Sequence, residues 1–314
     1  MNSLERILVA VDVARPSKAL VNYGVSLALQ FNAKLRLAHI IPSIPLLYSA
    51  PSENDALTRE IAYAKATLPS LVPKEHRRQL DLLAIVGVGD IPSKLGKIVD
   101  DEKIDLVVMA APGWHPLETF LLGSLAERIH RPVPVLTVPR SNSSGELHAI
   151  GRVPLRHILY ATALSETGEP GLNFSVELAR RTSARLTVLH VMKPFAGELS
   201  FRLAAMEAPV EDAFTQLQFS ILDQMRDLVE AAPVVLEGTP HREILRFVDE
   251  ENVDLVVLNR GSRNHFQRAL LGSTADQVIR RANVPVLAMP VASRPVPLAH
   301  ATTHEINNEL KEVS

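Results

Sequence analysis

Two glycine-containing turns carry residues that could hold a negatively charged ligand. In the first, Gly113 precedes the sequence LLGS at Leu121–Ser124, and the same four letters recur at Leu270–Ser273. Glycine lets backbone N–H groups turn towards a ligand, and the start of a helix adds unpaired N–H groups and a positive dipole end. Gly123 and Ser124 therefore predict an anion-binding turn, although glycine and serine also form ordinary turns and helix caps.

A carboxylate accompanies the first of these turns. Asp12 ends an apolar run that predicts the first strand. In an open parallel sheet, ligands bind at the carboxyl ends of the strands where the strand order reverses, and Asp12, Ile40 and the Gly113 turn would meet there. The aspartate could accept hydrogen bonds from ribose hydroxyls or from an adenine amine. The combination favours a nucleotide.

Both turns belong to a repeat that covers most of the chain. The matching segments are Arg6–Asp12 with His157–Ala163, Ala33–Ile40 with Ala184–Val191, Asp105–Val108 with Asp254–Val257, and Pro134–Leu136 with Pro285–Leu287. We therefore predict two domains, at residues 1–140 and 153–291. A linker rich in serine and glycine would occupy residues 141–152, and a C-terminal tail residues 292–314.

Each copy alternates short apolar runs with longer amphipathic stretches, which is typical of parallel strands joined by helices. In the first copy we predict strands near Ile7–Asp12, Lys34–Ile40, Leu80–Val86, Ile104–Ala110 and Val133–Val138. These runs are continuous, as expected of strands covered on both faces. The helix after strand one should face the sheet with an apolar stripe that recurs in the second copy. The stripe consists of Val21, Val25 and Ala28, and of Leu172, Val176 and Ala179.

The composition excludes several classes of protein. The chain has 314 residues, 46% hydrophobic and 22% charged, and its net charge of -2 gives no basic field for nucleic acid or acidic lipid. The absence of cysteine excludes disulfides and thiolate chemistry. Charges at Glu5, Arg6 and Asp12 interrupt the N-terminal apolar run, so neither a signal peptide nor a membrane span is predicted. We expect a cytoplasmic protein.

Two further residue pairs recur in both copies. His39 and His190 lie near the end of the second strand and could form a catalytic or metal-binding pair, but their recurrence favours a structural hydrogen-bonding role. Asp105 and Asp254 begin the fourth strand, at the edge opposite the expected ligand. We interpret these aspartates as turn or cap residues.

Several segments resemble a universal stress protein domain, and the repeat resembles the tandem members of that family. The segments are ILVAVD at Ile7–Asp12, LAHI at Leu37–Ile40, DLVVMA at Asp105–Ala110 and PVLTVP at Pro134–Pro139. The resemblance implies two tandem flavodoxin-like (Rossmann-like) α/β units, each a doubly wound parallel five-stranded sheet of order 3-2-1-4-5. In the family the final strands commonly pair two domains, so the two edges within this chain can satisfy each other. A homodimer of such chains would contain four domains.

Nucleotide-binding members of the family carry the motif Gly-x2-Gly-x9-Gly-Ser/Thr and an aspartate after strand one. The first copy matches this pattern with Asp12, Ala110, Gly113, Gly123 and Ser124, so that one glycine has become alanine. The resemblance implies that ATP, with or without Mg²⁺, binds these residues and Ile40.

The second copy departs further from the motif. Ala163 stands where the aspartate should be, and Asn259 and Ser262 replace two glycines, while Gly272 and Ser273 are retained. Residues Gly272 and Ser273 could still contact a phosphate, but we interpret the second site as degenerate.

Three functions remain open. The chain could be a stress-response module that binds an adenine nucleotide, a scaffold that acts through domain pairing and partner contacts without a nucleotide, or a slow ATPase. A lysine of the P-loop type and a dedicated base are both missing from the sequence pattern, which disfavours a dedicated enzyme. Ser124 and Ser273 could be nucleophiles only with a histidine and a carboxylate beside them, and none can be placed there from the sequence.

Overall fold

The structure is a computed structural model that describes residues 4–42, 51–111, 133–139, 150–151, 153, 155–163, 169–192, 215, 230–259 and 273–290. In the first half, the strands are β1 (Arg6–Ala10), β2 (Lys34–Ile41), β3 (Leu83–Val88), β4 (Leu106–Ala110) and β5 (Val135–Val138). The helices of this half are α1 (Lys18–Phe31), α2 (Pro51–Ser70), α3 (Lys74–Gln79) and α4 (Ile91–Asp101).

The second half repeats this order. Its strands are β6 (His157–Thr162), β7 (Arg185–Met192), β8 (Ala231–Glu237), β9 (Leu255–Asn259) and β10 (Val286–Met289). Its helices are α5 (Glu169–Thr182), α6 (Pro240–Glu250) and α7 (Ser273–Arg281).

The two halves form one sheet of ten strands in the order β3-β2-β1-β4-β5-β10-β9-β6-β7-β8. Within each half all pairings are parallel, and the two halves meet where β5 and β10 pair in antiparallel fashion. Thr137 pairs with Val286 there, and its buried hydroxyl donates to the Val286 carbonyl oxygen at 3.1 Å. The expected pairing of the two final strands within one chain is therefore present, and it joins the two predicted five-stranded sheets into one.

The helix after strand one follows from its sequence. Ser17 caps α1 by accepting a hydrogen bond from the Leu20 backbone nitrogen at 3.2 Å, and Asn32 ends it with a φ of 52°. The predicted stripe is confirmed, because its six members are all buried. They are Val21, Val25 and Ala28 on α1, and Leu172, Val176 and Ala179 on α5. Burial of an aliphatic side chain of this kind stabilises the fold by about 1.5–3 kcal/mol.

The core on the face that carries α1 and α5 extends through both halves. Two contacts beyond that core cross the junction. The Gly151 backbone nitrogen, at the end of the predicted linker, donates to the buried Ser26 hydroxyl at 3.1 Å. At the ends of the two helices, the guanidinium of Arg181 lies 5.6 Å from the ring centroid of Phe31.

The strand boundaries differ from the sequence prediction at their ends. β1 ends at Ala10, so Asp12 lies beyond the strand. β3 begins at Leu83 and not at Leu80, because Leu80 caps α3 and its backbone nitrogen donates to the His76 carbonyl oxygen. β4 and β5 each begin two residues later than predicted, at Leu106 and Val135. These corrections matter for Asp12, which belongs to the turn between β1 and α1.

Candidate functional site

The turn after β1 presents an exposed carboxylate. Asp12 is exposed between two buried valines, Val11 and Val13. One of its carboxylate oxygens accepts a hydrogen bond from the Ala14 backbone nitrogen at 3.0 Å, and its carbonyl oxygen accepts from Arg15 at 3.2 Å. These local bonds fix the turn while the buried valines anchor it, so the second carboxylate oxygen has a defined position at the rim of the sheet.

A buried histidine holds the same turn from below. The Nδ1 atom of His39 lies 3.0 Å from the Val11 carbonyl oxygen and 3.4 Å from the Val13 backbone nitrogen. The shorter distance indicates that Nδ1–H donates to Val11. In the second half, Nδ1 of His190 lies 3.0 Å from the Thr162 carbonyl oxygen. The structural role predicted for this pair is confirmed, since both histidines connect strand two to the end of strand one.

The strand order brings three of the predicted site residues to one edge. β1 lies between β2 and β4, so the ends of these strands, with Asp12, Ile40 and Ala110, are neighbours. Ile40 is buried opposite Gly87, and Ala110 is half-buried opposite Val138. Gly113, Gly123 and Ser124 lie outside the described residues, so the predicted phosphate-binding turn stays a prediction.

In the second half, two side chains near the ends of β6 and β9 hydrogen-bond to each other. Tyr160, at the position of Val9, is buried, and its hydroxyl accepts a hydrogen bond from Nδ2 of Asn259 at 2.8 Å. Burial raises the pKa of Tyr160 above its ordinary value, although hydrogen bonds to Thr162 and Asn259 oppose the shift. The phenol therefore stays neutral at physiological pH.

A glycine on α5 makes room for this pair. A Cβ atom at Gly171 would overlap Oδ1 of Asn259 and would lie 2.7 Å from Cε2 of Tyr160. The backbone of α5 thus packs directly on the two side chains. Ala163, which stands in place of the aspartate, is exposed.

The remaining motif residues of the second half are described only in part. Ser273 begins α7, as its predicted place at a helix start requires, whereas Ser262 and Gly272 lie outside the described residues. Asp276 lies in the first turn of α7, where its charge is favourable, and accepts a hydrogen bond from Nε of Arg280 at 2.8 Å.

At the opposite edge of the sheet, the two aspartates predicted to be turn or cap residues each accept two backbone hydrogen bonds. Oδ2 of Asp105 accepts hydrogen bonds from the backbone nitrogens of Glu5 at 3.1 Å and Arg6 at 3.0 Å. Oδ2 of Asp254 does the same for Arg156 at 2.7 Å and His157 at 2.9 Å. Each carboxylate therefore fastens the start of strand one to the start of strand four, far from the candidate site.

Two titratable groups with shifted pKa values, His157 and Asp81, lie at the amino-terminal ends of strands. Nδ1 of His157 lies 3.0 Å from the Glu251 carbonyl oxygen, and Nε2 lies 2.8 Å from the Thr187 hydroxyl. Burial lowers the pKa of His157 below its ordinary value. A hydrogen bond from Lys34 lowers the pKa of Asp81, which is exposed.

Two classes of site are missing from the part of the chain that the structure describes. Within those residues, no group of three or more histidine, aspartate or glutamate side chains could hold a metal ion. Among the same residues, no helix combines the length and apolar character needed to cross a membrane.

The comparisons with known proteins agree with this architecture. The model of the universal stress protein family matches residues 3–139 and again residues 154–290. The chain belongs to the universal stress protein family. Its two matches make it a tandem member, with one family unit on each side of the β5–β10 junction.

Individual relatives are more distant. Universal stress protein MJ0577 of Methanocaldococcus jannaschii is 24% identical over 155 residues, which cover 44% of this chain and 96% of that protein. Universal stress protein MJ0531 of the same organism is 26% identical over 144 residues, covering 43% and 81%. Both single-unit relatives thus correspond to about half of the tandem chain.

Some solved structures match nearly the whole chain. A universal stress protein from Archaeoglobus fulgidus superimposes with a TM-score of 0.64 at 20% identity, and the match covers 93% of this chain and 98% of that one. A second, a universal stress protein described as putative from Pseudomonas aeruginosa, gives a TM-score of 0.59 at 15% identity, covering 92% and 94%. At these identities the likeness establishes the fold.

Proposed function

We propose that the chain is a stress-response module that binds one adenine nucleotide, ATP in the first instance, at the carboxyl edge of its first half. The observation that carries the proposal is the exposed Asp12 carboxylate, held in a turn that His39 and two buried valines fix from below. A preformed acceptor binds ribose hydroxyls with little loss of conformational entropy.

The other predicted residues have roles that follow from their positions. Ile40 and Ala110 lie at the ends of the strands on either side of β1 and pack on opposite faces of the sheet, so the base would meet the strand ends between them. Backbone N–H groups around Gly113 and Gly123, with the Ser124 hydroxyl, would meet the phosphates. ATP supplies the negative charge that such a turn favours, and Mg²⁺ would reach the site on the phosphates.

The second half is proposed to bind no nucleotide. Tyr160 and Asn259 stand at the positions of Val9 and Ala110 and hydrogen-bond to each other, and Ala163 offers no carboxylate. Gly272 and Ser273 then serve the turn and the start of α7. This half contributes its share of the common sheet and core.

Calorimetry on the full chain, stripped of bound ligand, tests this proposal. ATP should bind with a stoichiometry of one, with and without Mg²⁺. Asp12→Ala should weaken binding about 10- to 100-fold, because hydrogen bonds to a charged group contribute about 1.5–3 kcal/mol. Asp101→Ala removes an exposed carboxylate at the end of α4 and is the matched control.

Two calorimetric results would contradict the proposal in different ways. An absence of binding heat at millimolar nucleotide would contradict the proposal and favour the scaffold function, which the sheet shared by the two halves supports. A stoichiometry of two would show that the second half binds as well. Mass spectrometry of any small molecule that copurifies with the chain would identify a different ligand.

A further inference from the structure

We propose that β3, at one end of the ten-stranded sheet, pairs in antiparallel fashion with β3 of a second copy of this chain. The sheet has two outer strands, β3 and β8, and each pairs on one side only within the described residues. Their residues are mostly half-buried. An outer strand of this kind presents backbone donors and acceptors that another strand can pair with.

The two outer strands differ in one residue that decides whether pairing is permitted. Pro233 in β8 stands opposite Val188, and Ala84 in β3 stands opposite Leu37, at the equivalent place. Proline has no N–H group to donate and is a common device for blocking an exposed edge. β3, with the sequence LAIVGV, contains neither proline nor a charged residue.

The backbone N–H group of Ala84 points away from β2, towards the side of β3 that has no neighbouring strand among the described residues. The Gly89 nitrogen donates inward to the Ile41 carbonyl oxygen at 3.0 Å. Because the direction alternates along a strand, the N–H groups of Ala84, Val86 and Val88 point away from β2. The same alternation from Gly238, which donates to Met192 at 2.8 Å, directs Pro233 outward in β8. The proline therefore blocks the open side of β8 without disturbing its pairing with β7.

Among the described residues, the exposed large apolar side chains lie at the β3 end of the sheet. In the described part of the chain, the large hydrophobic side chains that are exposed are Tyr63, at 59%, and Leu83, at 41%. Leu83 begins β3, and Tyr63 lies on α2, the helix that packs against β2 and β3. Neither belongs to the β8 end.

The sequence of β3 is self-complementary, which is why the proposed occupant is a second copy. An antiparallel pair with its two-fold axis at Val86 would place Ala84 opposite Val88, with outward N–H and C=O groups facing each other. Ile85 would then lie opposite Gly87, and Leu83 opposite Gly89. The two largest side chains, Leu83 and Ile85, would each face a glycine, and no charges would be placed opposite each other. The chain already uses an antiparallel junction of this kind between β5 and β10.

The test is the mass of the full chain in solution, measured by sedimentation and light scattering across a range of concentrations. The wild-type chain of 34.4 kDa should form a reversible dimer of twice that mass. Ala84→Pro, which copies the residue that β8 already tolerates, should give a monomer at concentrations where the wild type is dimeric. Leu83→Lys places a charge on the same edge and should have the same effect.

Folding is checked separately, so that a loss of dimer can be interpreted. Circular dichroism and the melting temperature should show that both variants are folded. A wild-type chain that is monomeric at every concentration, or a dimer that persists in both folded variants, would overturn the proposal. The proposal does not rest on nucleotide binding, and the measurement is made without nucleotide.

Discussion

The carboxylate of Asp105 lies 3.0 Å from the backbone nitrogen of Arg6 and joins the beginnings of two strands that are neighbours in the sheet but distant in the chain. Asp254 and His157 repeat this relationship at 2.9 Å in the second half. β1 and β4 run side by side from this point. The hydrogen bonds to Asp105 therefore fix the register of the two strands at the edge opposite the candidate site. We therefore expect the hydrogen bonds to Asp105 and Asp254 to contribute to the free energy of unfolding and to have little effect on ligand affinity.

Removal of the Asp105 carboxylate should destabilise the fold. Asp105→Ala leaves two backbone N–H groups without this acceptor and should lower the free energy of unfolding by about 1–3 kcal/mol. Asp254→Ala should have a similar effect, and Asp105→Asn, which keeps an acceptor oxygen, should lie between wild type and alanine. Urea denaturation measures these changes. If Asp105→Ala were as stable as the control Asp101→Ala, the hydrogen bonds to Asp105 would contribute nothing to the free energy of unfolding.

His39 offers a test of how the candidate site is positioned. His39→Ala removes the hydrogen bond to Val11 and should weaken ATP binding about fivefold, since one buried hydrogen bond contributes about 1 kcal/mol. His39→Asn, which can place a donor near the Nδ1 position, should restore part of the affinity. His190→Ala removes the equivalent bond in the second half and should leave ATP binding unchanged. Equal losses in both alanine variants would point to general destabilisation instead.

Gly171 tests how closely α5 packs on Tyr160 and Asn259. Gly171→Ala would force a methyl group into Asn259 and Tyr160, and overpacking of this kind costs about 1–3 kcal/mol. Alanine favours a helix by about 1 kcal/mol over glycine, so a measured loss would show that the clash outweighs helix propensity. Adding Asn259→Ala to the Gly171→Ala variant should recover part of the lost stability, because it removes one of the side chains that the methyl group meets. A stabilised Gly171→Ala variant would refute the close packing.

The buried imidazole of His157 should make stability depend on pH. Burial holds the pKa of His157 in the folded chain below its ordinary value of 6.5, so the unfolded chain binds this proton more readily. This contribution to stability is complete above pH 6.5 and is lost as the pH falls below that value, until the folded state is protonated too. Denaturation of wild type and His157→Gln from pH 8 to pH 5 should show the steeper acid loss in wild type. Parallel curves would exclude His157 as the cause.

The regular parts of the fold could be predicted because they depend on local patterns. The apolar runs predicted the cores of β1, β2 and β4, and the stripe that includes Val25 and Val176 predicted the buried faces of α1 and α5. The repeat and the family motifs predicted two similar halves. The pairing of β5 with β10 was expected from the resemblance to the family, in which the final strands commonly pair two domains.

Features that depend on contacts between distant residues could not be predicted in the same way. The hydrogen bond between Tyr160 and Asn259 joins two strands, and neither residue has a local signal that names its partner. The late start of β3 reflects the preceding turn, where Asp81 adopts a φ of 43° after the short helix α3. For Asp105 and Asp254 a signal did exist, since DLVV occurs in both copies, but the sequence alone did not say which N–H groups the carboxylates accept from.

The antiparallel junction between β5 and β10 also changes how the protein comes together. Two separate single-unit chains would have to collide before their final strands could pair, and dilution would separate them. Here the segment between the halves tethers the second strand near the first at all times, so assembly of the full sheet is independent of concentration. Proteolytic nicking of that segment should accordingly make the pairing of the two halves depend on concentration, so that the two fragments separate on dilution.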